Sequence, residues 1–233
     1  MCMKEMLILN ASEDITSEEI KCIAGQAELY SIKCYLHNIA SFKDLYECLF
    51  NGQTYNYIYL STHGCETSFG NISGSVSVKW MTFAAMICAS GVAKEGAVFF
   101  HSCCRGGLNQ VAWEMFACCP KIEFVCGPRH DLYAEDLVTA FNLFLYNIEI
   151  RKIDPVRSAE KVLTATDVRL ICYDRLETCT DLSYKGHCEI ITKDIEKSFE
   201  EIVDYEEIIA AENEAKKAID EQSLPQIVPQ HLS

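Results

Sequence analysis

Two short segments carry residue types able to do covalent chemistry. One is Leu60-Ser61-Thr62-His63-Gly64 and the other is His101-Ser102-Cys103-Cys104-Arg105-Gly106-Gly107. Each closes an apolar run, residues 55–61 before the first and 97–101 before the second, and such runs read as strands buried on both faces of a parallel sheet. If the two strands are neighbours, their carboxyl ends lie about 5 Å apart. His63 and Cys104 then meet although they are far apart in the chain. The chemistry of such a pair is nucleophilic. A free thiol has a pKa near ~8.5 and attacks only as thiolate. An imidazole beside it accepts the proton and returns it to a leaving amine.

Strands and helices must alternate to hold these ends in place. Residues 6–10, 30–36, 55–61, 97–101 and 121–127 read as strands. Residues 17–29, 41–50, 80–89, 108–119 and 133–148 read as helices, and 69–78, rich in Gly and Ser, as a loop or hairpin. Ser41 is a plausible N-cap and Gly52 a plausible stop for the second helix. The alternation predicts an α/β domain, a mostly parallel sheet with helices on both faces, in which active residues sit at the carboxyl ends of strands. Further on, 158–166 reads as a helix, and 168–173 and 187–192 as strands. Residues 194–221 read as a long acidic helix with Ile195, Phe199, Ile202, Tyr205 and Ile209 along one stripe, which predicts packing on the core. The expected organisation is a domain over 1–193, the acidic helix over 194–223, and a loose tail over 224–233.

Composition bounds the function. A chain of 233 residues, 49% hydrophobic, can bury a core without covalent staples. The net charge of −14 and the lack of any Lys/Arg-rich run argue against a nucleic-acid surface. Residues 194–221 alone hold eleven acids and three bases, so the rest of the chain is unremarkable in charge. Neither a signal peptide nor an apolar run of the ~18 residues needed to cross a bilayer is apparent. The fourteen cysteines therefore read as free thiols of a reducing cytosol, most of them small buried hydrophobes. No C-x-x-C pair occurs, and Cys103-Cys104 and Cys118-Cys119 are adjacent, which is poor spacing for zinc.

The two segments together resemble the caspase-like cysteine peptidases, including the bacterial CHAT domains, over about residues 5–150. That family has a strand ending in His-Gly and a later strand ending in a small residue, Cys and a glycine-bearing turn. His63-Gly64 and Ser102-Cys103-Cys104-Arg105-Gly106 match these elements, His preceding Cys, whereas papain-like enzymes place Cys first. The Gln-Ala usual before the caspase cysteine is replaced by Ser102-Cys103, closer to the Ser-Ala-Cys form of the CHAT type. The resemblance implies a three-layer αβα sandwich and a cysteine endopeptidase acting on protein or peptide substrates through an acyl-enzyme. It makes Cys104 the nucleophile and His63 the base, and assigns the oxyanion donors to the backbone N–H groups of Gly64 and Cys104. It implies no cofactor, a regulatory protein partner, no nucleic-acid or membrane partner, a cytoplasmic location, and for the bacterial members effector roles in stress or antiviral defence. Some members of the wider family bind calcium, but no EF-hand-like loop occurs here.

Several residues admit a plainer reading. Cys103 competes with Cys104, but two consecutive strand residues face opposite ways, so only one can meet His63, and Arg105-Gly106 follows Cys104 in the family register. His101 shares a face with Cys103 and reads as structural. Cys65 reads as a loop thiol of no special role. Arg129, Asp131, Glu135 and Asp136 stand where the family shapes its substrate pocket. An acid there suits a basic substrate side chain, Arg129 suits an acidic one, and the acids equally suit the start of the following helix. A catalytically idle scaffold or protein-binding module with the same fold is the alternative to an enzyme.

Overall fold

The computed structural model describes residues 3–14 and 17–222. Strand β1 (Lys4–Asn10) leads through α1 (Ser17–Leu29) to β2 (Ile32–Asn38), and α2 (Phe42–Leu49) leads to β3 (Tyr55–Ser61). Three short strands follow, β4 (His63–Gly64), β5 (Ser68–Gly70) and β6 (Ser77–Lys79), and then α3 (Trp80–Ser90). The chain returns as β7 (Ala93–Ser102), α4 (Asn109–Cys118), β8 (Ile122–Pro128) and α5 (Ala134–Glu149). It ends with α6 (Pro155–Thr166), β9 (Leu170–Asp174), α7 (Arg175–Thr180) and α8 (Leu182–Gln222).

The main sheet has the order β2-β1-β3-β7-β8-β9. Its strands are parallel except β9, which runs antiparallel to β8. Period-two alternation divides its side chains between two clusters. Leu7, Leu9, Ile58, Leu60 and Phe99 face the cluster that contains buried residues of α2, α3, α4 and α8. Met6, Ile8, Tyr57, Tyr59, Val98 and Phe100 face the one built with α1, α5 and α6. Because both faces are covered, the central stretches of these strands, residues 6–9, 57–60 and 97–100, are apolar and buried, and the result is an αβα sandwich of three layers. The short strands β4, β5 and β6 form a separate antiparallel sheet, the hairpin expected over 69–78.

Local signals place the helix starts. Ser41 caps α2, its side chain accepting from the Asp44 N–H at 3.1 Å. Asp154 caps α6 by accepting from the N–H groups of Val156 and Arg157, with Pro155 in the first turn. Beyond Leu49, where α2 ends, Gly52 has a left-handed φ of 76°.

One expectation fails. Residues 187–192 are helix, inside α8, which is continuous from Leu182. Ile190 is exposed and Ile191 buried, the rhythm of a helix packed on one side. His187-Cys188-Glu189-Ile190-Ile191-Thr192 is apolar enough to suggest a short strand, but its neighbours on both sides extend the 3.6-residue period. The boundary drawn at 193 thus falls within a single helix, and the tail over 224–233 lies outside the described residues. The stripe expected on this helix lies on the core. Ile202 and Ile209 are buried there, Ile195 and Phe199 pack against the cluster, and the Tyr205 ring lies 4.2 Å from Phe42 between centroids. Among the described residues no helix is long and apolar enough to cross a membrane.

The two sides of α8 should respond differently to truncation. Ile202→Ala, at a buried position, should lower stability by about 2–5 kcal/mol. Ile208→Ala, half exposed, should stay within about 0.5 kcal/mol. Urea unfolding of both variants checks this, and equal small effects would mean the helix does not pack as described.

Candidate functional site

The site lies where β1, β3 and β7 end. These are adjacent parallel strands, with Asn10 opposite Ser61 and Ser61 opposite Ser102. Backbone bonds carry the pairing past the strands, from Ala11 N to Ser61 O at 2.8 Å and from Thr62 N to Ser102 O at 3.3 Å. The strand order also reverses here. From β1 the chain moves outward to β2 on one side, then returns to β3 and proceeds through β7 and β8 on the other. Open α/β sheets leave a crevice outside the carboxyl ends at such a point.

Cys104 sits in a tight turn after β7. Gly106 N donates to Cys103 O at 3.2 Å, so Cys104 and Arg105 are the two central residues. Arg105 has φ of 60°, a left-handed conformation that costs a non-glycine residue about 1–3 kcal/mol. Its guanidinium is tied to the loops on either side, to Glu66 at 2.8 Å and Asp131 at 3.7 Å. The turn is wedged against the end of β8. Gly107 N donates to Pro128 O at 2.7 Å, and a Cβ at Gly107 would lie 2.1 Å from Gly127 O. The nucleophile candidate therefore stands on a backbone whose conformation is imposed from outside.

Cys103 and Cys104 lie beyond the last residue of β7, so it is the turn and not strand alternation that separates them. Cys103 is fully buried with the α3–α4 cluster, and burial pushes its thiol far above the ordinary range. Cys104 is half-buried, and its Sγ points to the Leu132 carbonyl at 4.0 Å. His101 shares the Cys103 side, against Trp80 and Phe99, and its Nδ1 donates to Gly106 O at 2.9 Å. Burial lowers its pKa to about 4, so it is a neutral strut of the turn.

His63 and Gly64 form β4. A Cβ on Gly64 would lie 2.7 Å from Cys104 O and 2.8 Å from Cys103 Sγ, so this backbone touches the cysteine turn directly. Gly64 is needed for space, since its φ is not left-handed. The exposed His63 ring is held by a residue that sequence reasoning missed. Nε2 is 2.9 and 3.1 Å from the two carboxylate oxygens of Asp14, which follows β1. Asp14 in turn accepts from the Ser12 hydroxyl. These hydrogen bonds, Ser12's first and His63's next, hold its carboxyl below the usual carboxylate range. The backbones of the two segments thus adjoin, but the side chains engage other partners: His63 binds Asp14, and Cys104 faces Leu132. Nothing in the local sequence marks Asp14. The signal was its place just beyond the end of β1, legible only once β1 is known to neighbour β3.

The proposed pocket residues scatter. Asp131 pairs with Arg105. Arg129 turns away, with Nε donating to Gly107 O at 3.4 Å and the guanidinium also bonded to Asn109. Glu135 and Asp136 lie in the first turn of α5, where carboxylates favour the helix N-terminus. A shallow hollow of about 310 Å³ beside His63 is lined by Gly64, Cys65, Phe69, Asn71 and Val76 among others. Roomier clefts lie elsewhere, including one of about 570 Å³ beneath α8 bordered by Glu114, Asp194 and Lys197, and they hold neither His63 nor Cys104. Among the described residues no group of three or more His, Cys, Asp or Glu side chains is placed to hold a metal ion.

Cys65 is more than a bystander. It is exposed, 3.3 Å from Ser68 Oγ, and hydrogen bonds from Ser68 first and the Thr67 backbone second lower its thiol to about 7. It follows the His-Gly pair and sits in the loop that carries Glu66.

No protein-family model matches this chain, and no curated protein matches it in sequence.

Two measurements probe this geometry. Gly64→Ala should destabilise by about 1–3 kcal/mol through forced displacement of the Cys104 turn. Gly25→Ala, in the exposed middle of α1 with open space around it, should instead stabilise by up to about 1 kcal/mol, and urea unfolding reads both. Cys65 should alkylate with iodoacetamide at near-neutral pH. Thiolate is gained as pH rises through about 7, so the rate falls below it, and Ser68→Ala should move the midpoint upward. Peptide mass spectrometry of the Cys65 peptide across pH 5–9 gives the curve.

Proposed function

We propose that the protein is a cysteine endopeptidase with Cys104 as nucleophile and His63 as base. The observation that carries this reading is the direct contact of the Gly64 backbone with the Cys104 turn. It sets an oriented imidazole and a partly accessible thiol at neighbouring strand ends. The likeness of His63-Gly64 and Cys104-Arg105-Gly106 to caspase-like and CHAT peptidases supports the same assignment.

In this mechanism His63 takes the Cys104 proton, and the thiolate sulfur attacks the scissile carbonyl carbon. The carbonyl electron pair moves to oxygen, which is stabilised by the backbone N–H groups of Gly64 and Cys104. Such donors are each typically worth a few kcal/mol of barrier, about 2.7–4. Collapse breaks the C–N bond, the amine leaves with the proton from the imidazolium, and a thioester remains. Water then attacks the thioester carbon, giving a proton to His63; collapse breaks the C–S bond, the departing sulfur takes that proton from the imidazolium, and the carboxylic acid is released. Protein or peptide substrates, a restraining protein partner, a cytoplasmic setting and a defence role belong to this proposal through the family likeness.

The second reading, a scaffold with an idle dyad, is favoured by the partners seen for the two side chains. The imidazole binds Asp14, and the thiol faces the Leu132 carbonyl. A working enzyme needs the Cys104 thiol to turn from the Leu132 carbonyl towards His63. Binding of substrate in the crevice would drive it, since apo catalytic hydrogen bonds are often long.

A peptidyl acyloxymethyl ketone library separates the readings. It is applied in a Cys65→Ser background so that the other reactive thiol is silent. Labelling should be lost in Cys104→Ala and in His63→Ala but kept in Cys103→Ala. Labelling that survives Cys104→Ala removes the peptidase reading.

A further inference from the structure

We infer that Asp14 is a positioning residue for His63, fixing the imidazole so that Nδ1 is the nitrogen that faces the reaction. The inference rests on the peptidase reading only for the word reaction, since the geometry stands without it. Three adjacent carboxyl ends each present one group: β1 is followed by Asp14, β3 by His63 and β7 by Cys104. The carboxylate and the imidazole meet with both oxygens within 3.1 Å of Nε2. An ionised carboxylate only accepts hydrogen bonds, so in the neutral ring it is Nε2 that carries the proton and Nδ1 that keeps its lone pair.

The carboxylate is itself held in place. The nearly buried Ser12 donates its hydroxyl to Asp14, and Ser12 N is 3.4 Å from the Asn10 side-chain oxygen. Asn10 Nδ2 donates to Asn38 Oδ1 at 3.3 Å, which ties the segment to β2. The neighbouring acid Glu13 is turned elsewhere, accepting from Asn71 and Ser73 on the β5–β6 turn. Asp14 is thus the acid given to His63, and it comes from a different strand than either member of the pair.

A carboxylate on the far nitrogen does two things for a base. It selects the tautomer whose free lone pair can take a thiol proton, and it steadies the imidazolium that forms. Carboxylates that orient the imidazoles of metal sites change affinity or activity by about 10–100-fold, and an exposed carboxylate on His63 is expected to act on the same scale.

The test uses the full chain with 15N-labelled histidine and long-range 1H–15N correlation at neutral pH. His63→Gln identifies the resonances. Wild type should show His63 as the Nε2–H tautomer, and Asp14→Asn should shift it towards a mixture or to Nδ1–H. Asp14→Glu should restore part of the wild-type pattern. Alongside, Asp14→Asn should lower peptide turnover about 10–100-fold in kcat with KM little changed. A wild-type His63 in the Nδ1–H form overturns the inference, even if every variant unfolds. So does an unchanged tautomer in folded Asp14→Asn. An Nε2–H tautomer lost in Asp14→Asn, without any labelling of Cys104, upholds Asp14 as the partner of His63 and fails the peptidase reading alone.

Discussion

Contact between two backbones governs this molecule's candidate chemistry. Gly64 and the Cys104 turn touch at a distance that no side chain on residue 64 would permit. That contact exists because β3 and β7 are hydrogen-bonded neighbours up to their last residues and continue side by side through Thr62 and Ser102. The sheet supplies the precision. A loop cannot drift where its first residue is still paired and its third is in van der Waals contact with the facing turn.

The turn that bears Cys104 illustrates how strain is maintained. A left-handed arginine would relax if it were free. Here the Gly106 bond to Cys103, the Gly107 bond to Pro128 and the ion pairs of Arg105 hold it from three directions. The buried Cys103 and His101 form the floor on the α3–α4 side, while Ser102 accepts a hydrogen bond from Tyr59 at 2.7 Å on the other. Two adjacent cysteines thus acquire different chemistry from the turn that follows β7. One is locked among apolar side chains, where its thiolate is strongly disfavoured. The other reaches the surface.

Charge is distributed with the same division. The acidic helix α8 lays its apolar stripe on α3 and α4, with Asp194, Glu196, Glu200, Asp204, Glu206 and Glu207 exposed to water and Glu201 accepting from Thr82. Around the cysteine turn the acids are few and individually engaged: Asp14 with His63, Glu66 and Asp131 with Arg105. Arg129, a natural candidate for reading an acidic substrate, is spent on bracing Gly107 and Asn109, beside the Tyr173 hydroxyl that donates to the same Gly107 carbonyl.

Strand and helix periods, the caps at Ser41 and Asp154, and the apolar runs ending at His63 and Cys104 were legible in the chain, because each is set by residues a few positions apart. The same local reading misjudged 187–192, where Cys188, Ile190 and Ile191 imitate a strand while the flanking turns continue a helix. Partnerships between distant segments were beyond it. Which acid would meet His63 depended on β1 lying next to β3, and which way Arg129 would turn depended on where the Gly107 turn docked. Sequence determined the elements and the types of group at their ends, since those follow from backbone geometry and hydrophobic period. Tertiary structure alone decided the neighbours, because strand order in a sheet is chosen by the burial of both faces together and is not written in any single segment.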